Sequence, residues 1–205
     1  MVKVFTFEPS GYFGANCHLV RVGDEYAIVD PSVDYETVAA AHPEISGKIK
    51  YILLTHCHFD HILFIKSWVQ HNPSAEVVIG ADDGPGLSQP MINCYLGFLG
   101  VYDGYDGEYT PVTEASQLTL GTERVRVIDC PGHTAGGVSY RIGDCLFVGD
   151  TLFEGGGYGR CDLPGGDFSL LEKTIIKIIT REPDAKVYAG HGSNTTLSEI
   201  IKNLM

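Results

Sequence analysis

The segment Thr55–His61, THCHFDH, contains three histidines and one aspartate within seven residues. Imidazole and carboxylate groups are common protein ligands of divalent metals. A solvated loop has no need of so many imidazoles, and burying them without partners would be costly. His56, His58, Asp60 and His61 are therefore candidate metal ligands, and further ligands must be sought elsewhere in the chain.

Three more residues of the same types follow short apolar runs. His133 occurs in CPGHT, Asp150 in VGDT and His191 in AGHG, just as His56 follows the run ILL. Short apolar runs predict buried strands, and the ends of strands hold functional groups in fixed positions. If these strands are aligned neighbours, seven ligand-type side chains converge: His56, His58, Asp60, His61, His133, Asp150 and His191.

The composition of this set indicates which metals it would bind. Most of the groups are imidazoles, which suit zinc, iron or nickel, whereas calcium requires mostly oxygen ligands. A structural zinc site is closed by four ligands and is commonly rich in cysteine. Seven ligands instead suit two ions that share one carboxylate. Each ion would then keep a position open for water, as a catalytic site requires.

The elements that must position these groups can be read from the hydrophobic pattern. Helices are predicted between Asp60 and Pro73, over 168–180 and over 195–204, each with an apolar stripe. Strands followed by covering helices predict an α/β fold, and no linker or repeat divides the chain, so we expect one domain over 1–205. Apolar runs predict strands over 2–7, 17–22, 26–30, 49–54, 76–80, 124–130, 137–142, 145–149 and 186–189.

The segment 81–117 differs from the rest because it is rich in glycine and carries five spaced aromatic residues, Tyr95, Phe98, Tyr102, Tyr105 and Tyr109. Long irregular segments within a domain are often functional flaps, binding loops or interfaces. The alternative is that these aromatic side chains only cover the edge of the core. The sequence leaves both interpretations open.

The overall composition narrows the class of partner. The chain has 14 basic and 26 acidic residues and a net charge of −12, which disfavours nucleic acid. No apolar run is long enough to span a membrane, and the N-terminus lacks the pattern of a signal peptide. The six cysteines lack paired short spacings and are expected to be free thiols, as in a cytoplasmic protein.

The order H-x-H-x-D-H, followed by a distant His, Asp and His that each lie behind a predicted strand, resembles the metallo-β-lactamase superfamily of metallohydrolases. The resemblance implies a four-layer αβ/βα sandwich with the site at one edge of two packed sheets. It implies two divalent ions, with zinc expected and iron or manganese as alternatives. The implied ligands are His56, His58 and His133 for the first ion, Asp60, His61 and His191 for the second, and Asp150 as the bridge.

Two segments resemble the glyoxalase II-like branch of this superfamily, namely GDTLFEGGGYGRCDLPGGD at 149–167 and GHGSNTTLSE at 190–199. That branch hydrolyses thioesters such as S-lactoylglutathione. The resemblance therefore implies hydrolysis of a small-molecule thioester or related activated acyl compound by a hydroxide that bridges two ions. Asp60 would orient this hydroxide.

The same segment makes Arg160 a candidate for contacting an anionic substrate or bracing the loop after Asp150. The structural alternative is an ion pair between Arg160 and Asp162 or Asp167. Cys57, which lies inside the histidine motif, is expected to pack away from its neighbours.

Two departures from the branch affect the expected pocket. The chain ends 14 residues after His191, so we expect no C-terminal helical domain of the kind that binds glutathione. The family usually has a glycine shortly after the histidine motif, where this chain has Ile62-Leu63-Phe64. The second departure concerns the floor of the pocket and not the ligands.

Two other functions are alternatives. One is an iron(II) persulfide dioxygenase that would use His56, His133 and Asp150 as a facial triad. The other is a non-catalytic protein that binds or senses metal on the same scaffold. The other histidines, His18, His42 and His71, are expected to be ordinary core or surface residues. The oligomeric state is left open, a homodimer included.

Overall fold

A computed structural model of the chain describes residues 1–9, 11, 14–182 and 184–204. Its first six-stranded sheet has the order β1-β2-β3-β4-β5-β6. The first three strands pair antiparallel, and β3 to β6 run parallel to one another. The strands are β1 (Val2–Phe7), β2 (Cys17–Val22), β3 (Glu25–Val29), β4 (Ile49–Leu53), β5 (Glu76–Gly80) and β6 (Thr110–Val112).

The second six-stranded sheet has the order β12-β11-β10-β9-β8-β7. Only β10 and β11 pair parallel, and the other neighbours are antiparallel. Its strands are β7 (Leu118–Leu120), β8 (Glu123–Asp129), β9 (Val138–Ile142), β10 (Cys145–Gly149), β11 (Lys186–Ala189) and β12 (Thr195–Thr196).

Helices lie on the outer faces of the two sheets. They are α1 (Tyr35–Ala41), α2 (Phe59–Ile62), α3 (Ile65–His71), α4 (Tyr95–Leu99), α5 (Phe168–Arg181) and α6 (Leu197–Leu204). Single 3₁₀ turns occur at Pro43–Ile45, Gly84–Ser88 and Glu154–Gly156. Among the described residues, no helix combines the length and the apolar character needed to cross a membrane.

Three apolar clusters connect these elements into four layers. Leu53 of the first sheet and Phe147 of the second belong to the cluster between the sheets. Trp68 of α3 packs in the cluster on the outer face of the first sheet. Ile178 of α5 and Val187 of β11 belong to the cluster on the outer face of the second sheet. The expected αβ/βα sandwich is confirmed.

The nine predicted strands are all present, and their ends differ from the prediction by one residue at most. The helix predicted between Asp60 and Pro73 is divided in two, because Phe64 has non-helical backbone angles (φ −113°, ψ 18°). The elements that the sequence missed, α1, α4, β6, β7 and β12, are all short, so that hydrophobic periodicity has few residues to act on.

The two sheets meet beside the ends of β4 and β9. The Val138 N–H donates to the Thr55 carbonyl at 2.8 Å, and the Tyr140 hydroxyl donates to the Leu54 carbonyl at 2.9 Å. The segment that carries the histidine motif is therefore attached to the opposite sheet where it leaves β4.

Candidate metal centre

The structure brings the seven sequence-predicted ligand residues together at this edge of the sandwich. Each of them supplies a possible ligand atom to at least one of three groups, and within a group these atoms lie within 4.8 Å of one another. The groups are His56, His58 and His133; Asp60, His61 and His191; and His56, His61 and Asp150. The arrangement could hold two ions, with the third group between the other two.

Asp150, which follows β10, faces both of the outer groups. Its Oδ2 lies 3.6 Å from His133 Nε2 and 3.5 Å from His191 Nε2. Its Oδ1 lies 3.3 Å from His61 Nε2. Asp60 belongs to one side only, with Oδ2 at 3.2 Å from His191 Nε2. A carboxylate placed in this way can be shared by two cations.

The outward-facing nitrogens of two imidazoles have hydrogen-bond partners that fix the rings. His61 Nδ1 lies 2.8 Å from Asp30 Oδ2, and His133 Nδ1 lies 2.7 Å from the Arg160 carbonyl oxygen. Both partners can only accept, so these Nδ1 atoms carry a proton and the Nε2 atoms face the cluster as possible metal ligands. Carboxylates and carbonyls in this position are typical of metal-bound histidines.

Asp30 holds two imidazoles of the cluster and is not among the residues predicted from the sequence. It is buried, and its φ of 52° is unusual for a residue other than glycine. Besides His61 it accepts hydrogen bonds from the Thr55 N–H and the Thr55 hydroxyl, both at 2.8 Å. Because the hydroxyl proton of Thr55 goes to Asp30, its oxygen accepts from His56 Nδ1 at 3.1 Å. One carboxylate thus orients two imidazoles. Like Asp150, Asp30 is an aspartate that follows an apolar strand, and this pattern could have marked it as a candidate in the sequence.

Among the described residues, the cluster contains buried nitrogen atoms that make no hydrogen bond. Such atoms are expected where a metal ion would be bound. His56 Nε2 and His58 Nε2 have no hydrogen-bond partner in the part of the chain that the structure describes. His58 Nδ1 lies 2.9 Å from His133 Nε2, so these two nitrogens either share a proton or bind one cation. Buried polar groups are rarely left unpaired. The donor types and the spare atoms both fit divalent metal.

Burial controls the protonation of the first group. It lowers the pKa of His56 well below its ordinary value and that of His58 to about 3, with further lowering from neighbouring imidazoles. Both rings are therefore neutral at pH 7 and have a lone pair to offer, which metal binding requires.

The second group is dominated by the attraction between imidazoles and carboxylates. Burial alone would lower the pKa of His61, but Asp30, Asp150 and Asp60 together raise it well above its ordinary value. The pKa of His191 is likewise lowered by burial but raised by Asp150 and Asp60, to about 9. Burial would raise the pKa of Asp150, yet His61 and His191 hold it well below its usual range. The carboxylates therefore favour positive charge on these two imidazoles, and a bound metal cation would replace their protons.

The loop that carries His191 approaches the cluster closely and is held by the side chain of Asn16, which directly precedes β2. A Cβ on Gly190 would lie 2.4 Å from Asp150 Oδ1 and 2.5 Å from His61 Cε1, so only glycine allows this approach. Asn16 Nδ2 donates to the carbonyls of Ala189 at 3.0 Å and Gly192 at 2.9 Å.

Asp83 connects the two loops that carry the first group. Its Oδ2 accepts from the Cys57 N–H at 3.0 Å, and its Oδ1 accepts from the Gly136 N–H at 2.6 Å. Cys57 lies between His56 and His58, and its side chain is buried in the outer core as expected. Asp83 therefore sets the distance between the histidine motif and the loop of His133.

With this geometry established, the chain can be compared with known proteins. The family model for the metallo-beta-lactamase superfamily matches residues 10–191. The chain belongs to this superfamily. It is 30% identical over 196 residues to hydroxyacylglutathione hydrolase GloC of Haemophilus influenzae. This match covers 93% of this chain and 92% of that protein. The resemblance to the glyoxalase II-like branch is therefore confirmed.

Solved structures of the superfamily superimpose on nearly the whole chain. BLEG-1, a B3 metallo-beta-lactamase, matches with a TM-score of 0.86 and 31% identity over 98% of this chain and 97% of its own. TTHA1623 in a di-iron-bound form matches with a TM-score of 0.84 and 28% identity over 98% of each chain. Both likenesses agree with the sandwich described above.

A cavity of about 170 Å³ opens directly onto the cluster. Five of the predicted ligands line it on one side, namely His58, Asp60, His133, Asp150 and His191. The remaining lining comes from Phe59, Cys94, Phe98, Arg160 and Leu163. The sequence leaves open whether the segment 81–117 has a functional or a packing role. In the structure it contributes Cys94 and Phe98 to the cavity lining and Tyr95 and Tyr105 to the core.

Arg160 lies at the rim of this cavity. Its Nε and Nη2 donate to the two carboxylate oxygens of Asp162 at 2.7 and 2.6 Å. The ion pair named as the structural alternative is thus present with Asp162, whereas Asp167 instead caps α5 through the Leu170 N–H. The carbonyl of Arg160 also orients His133. The side chain is exposed, and substrate contact by it stays a prediction.

Proposed function

We propose that this protein hydrolyses thioesters or related activated acyl compounds at a site that holds two divalent metal ions, zinc being the expected metal. The first ion would be held by three imidazoles, the second by two imidazoles and a carboxylate, with one carboxylate shared. The proposed ligands are His56, His58 and His133; Asp60, His61 and His191; and Asp150 between them.

The observation that carries the proposal is the position of Asp150 between two groups of three donors, 3.6 Å from His133 Nε2 and 3.3 Å from His61 Nε2. Bound divalent ions supply Lewis acidity, which polarises a carbonyl group and brings the pKa of water to about 7. Hydrolysis of this kind needs no nucleophilic side chain.

The residues that line the cavity agree with attack by water. Among the lining residues that the structure describes, Cys94 is the only one with a thiol, hydroxyl or amine. Burial, and then the charge of Asp60, raise the pKa of the Cys94 thiol, so that it stays protonated and weakly nucleophilic.

Asp60 is the proposed residue for orienting the attacking water. It lines the cavity, and its carboxylate pKa is raised by burial but lowered more by His61 and His191, so it is ionised and can accept a proton from water. In the reaction, the water oxygen forms the new bond to the acyl carbon and the carbon–sulfur bond breaks. One proton of the water goes to the leaving thiolate and gives a thiol, and the other passes to solvent and leaves a carboxylate.

The comparisons support a hydrolase of this type and also supply a rival substrate. GloC bears the name hydroxyacylglutathione hydrolase, which is a thioester hydrolase. BLEG-1 is named a metallo-beta-lactamase, so a lactam is the second candidate substrate. The cavity volume of about 170 Å³ suits a small molecule. The net charge of −12 disfavours a nucleic acid as the substrate.

The test combines metal analysis with a substrate panel. The purified protein would be stripped with a chelator, reloaded with zinc or with iron(II), and analysed for metal per chain. Release of thiol from S-lactoylglutathione and simpler thioesters would be followed beside hydrolysis of a β-lactam. We expect two ions per chain and metal-dependent thioester cleavage.

The histidines provide a matched control for the metal analysis. His61→Ala should lower the metal content, whereas His71→Ala should not, because His71 lies outside the cluster with its Nδ1 on the Ser67 carbonyl. Oxygen consumption with glutathione persulfide and one iron per chain would replace the proposal with a dioxygenase. Lactam cleavage without thioester cleavage would also overturn it, and so would metal binding with no turnover of any substrate.

A further inference from the structure

The cavity has two chemically different halves. One is the histidine and aspartate cluster, and the other is formed by Phe59, Phe98, Leu163 and Cys94. Phe59 and Cys94 are buried, and Leu163 is half-buried against the outer core cluster. None of these side chains carries a charge at neutral pH. A substrate group that enters this half meets apolar surface next to the position of the reacting bond.

Phe98 forms the outer part of this surface and stacks on Phe59, with ring centroids 5.4 Å apart and an interplanar angle of 28°. It is 40% exposed, so part of its ring remains accessible to a ligand. Aromatic rings in such an arrangement bind a further planar or apolar group well. The face of Phe98 is the natural contact for a substrate substituent.

The position of Phe98 is coupled to the metal-ligand loop. The Phe59 N–H, between His58 and Asp60, donates to the Asn93 carbonyl at 2.8 Å. Asn93 Oδ1 in turn accepts from the Tyr95 N–H at 3.2 Å at the start of α4. The helix that carries Phe98 is thus attached to the histidine motif, and the apolar wall is already formed before a ligand arrives.

Arg160 is the one lysine or arginine among the described residues that line the cavity, and its charge is already paired. Two of its nitrogens bind both oxygens of Asp162. Its guanidinium lies over the Phe98 ring, 5.8 Å from the centroid. An anionic substituent would have to compete with Asp162 for this guanidinium and would also lie close to the carboxylates of the cluster.

We propose that Phe98, Phe59 and Leu163 form a subsite for a neutral apolar acyl substituent of about the size of one ring. The inference rests on the proposed thioester hydrolysis and names its substrate class, which is aryl or branched-alkyl acyl thioesters in preference to anionic ones. The size follows from the whole cavity of about 170 Å³, which must also hold the thioester group at the cluster and so leaves room for no more than about one ring. An apolar protein cavity of about 150 Å³ is known to bind benzene.

The test uses three thioesters of one small thiol, N-acetylcysteamine, that differ only in the acyl group: acetyl, phenylacetyl and succinyl. We expect the metal-loaded protein to have a kcat/KM for the phenylacetyl compound at least about tenfold above those for the other two. Phe98→Ala should lower the phenylacetyl value about tenfold, mainly through KM, and leave the acetyl value nearly unchanged. The phenylacetyl kcat/KM of Phe98→Leu should lie between those of wild type and Phe98→Ala. This variant replaces Phe98→Ala in the test if the alanine variant folds poorly.

Phe64→Ala is the matched control, because Phe64 is 38% exposed, close to the exposure of Phe98, but does not line the cavity. It should leave the acyl preference unchanged. Calorimetry with the products gives an independent measurement, in which phenylacetate should bind more tightly than succinate and lose this advantage in Phe98→Ala. A succinyl preference, equal rates for the three acyl groups, or an equal loss for all of them in Phe98→Ala would overturn the subsite. A protein that binds metal and cleaves no thioester would instead overturn the proposed function.

Discussion

The carboxylate of Asp30 accepts a hydrogen bond from His61 Nδ1 at 2.8 Å, and both side chains are buried. The same carboxylate reaches His56 through the hydroxyl of Thr55. His56 is a proposed ligand of the first ion and His61 of the second, and their rings lie 4.0 Å apart between centroids. Asp30 therefore fixes the orientation of a donor on each side of the site without belonging to either.

This relationship predicts that Asp30 controls metal affinity. Replacing Asp30 by Asn removes the negative charge behind His61, and we expect metal affinity to fall about 10- to 100-fold. Thr55→Val should have a smaller effect, because it removes only the connection to His56. Competition with a chromogenic chelator would measure both, with Asp34→Asn as control, since Asp34 only caps α1. Unchanged affinity in Asp30→Asn would refute the assigned role.

Asp60 is predicted to be needed for turnover beyond its part in metal binding. Asp60→Asn and Asp60→Ala should lower kcat by at least about 100-fold even when saturating metal restores the metal content, because the oriented proton acceptor is lost. Asp103→Asn is a suitable control, since Asp103 is exposed and paired with Lys66. Near-normal turnover in a fully loaded Asp60→Ala protein would remove Asp60 from the mechanism.

The sequence predicted the strands and the positions of the ligand-type residues, because both depend on local pattern. His133, Asp150 and His191 each follow an apolar run, and in the structure all three lie beside residues of the histidine motif. Asp30 has the same local pattern but could not be assigned, because its role depends on a contact with His61, 31 residues away. The roles of Asp83 and Phe98 likewise depend on which loops come together. The spacing of apolar residues predicts local elements, but it does not show which distant segments come into contact.

Asp83 is predicted to stabilise both the fold and the first metal group. Asp83→Ala leaves the N–H groups of Cys57 and Gly136 without their acceptor, which costs about 1–3 kcal/mol for each buried unpaired group. Denaturation in urea should therefore show a lower free energy of unfolding. Metal affinity should also fall, since the loops of His58 and His133 are no longer held together. Asp82→Ala, one residue away, should change neither quantity by a comparable amount.

Asn16 is predicted to position His191. Its amide donates to two carbonyls of the loop that surrounds this histidine, those of Ala189 and Gly192. Asn16→Ala should weaken binding of one ion more than the other, because the loops of His58 and His133 make no such contact with Asn16. Stepwise metal titration would resolve the two affinities. Equal weakening of both ions would indicate a general loss of stability and not a positioning role.

The burial of His18 predicts that the stability of the fold depends on pH. It is buried between the Thr6 hydroxyl, 3.0 Å from its Nδ1, and the Ala189 carbonyl, 3.3 Å from its Nε2. Burial lowers its pKa from 6.5 to about 4, so between these values the unfolded chain binds a proton that the folded protein does not. Stability from this source is complete above pH 6.5 and is lost as the pH falls toward 4, by up to about 3 kcal/mol. His18→Gln has no such titration. The free energy of unfolding of both proteins would be measured in urea at pH 7.5 and at pH 4.5. Between these two values the wild type should lose more stability than His18→Gln. An equal loss in both proteins would show that His18 does not titrate in this way.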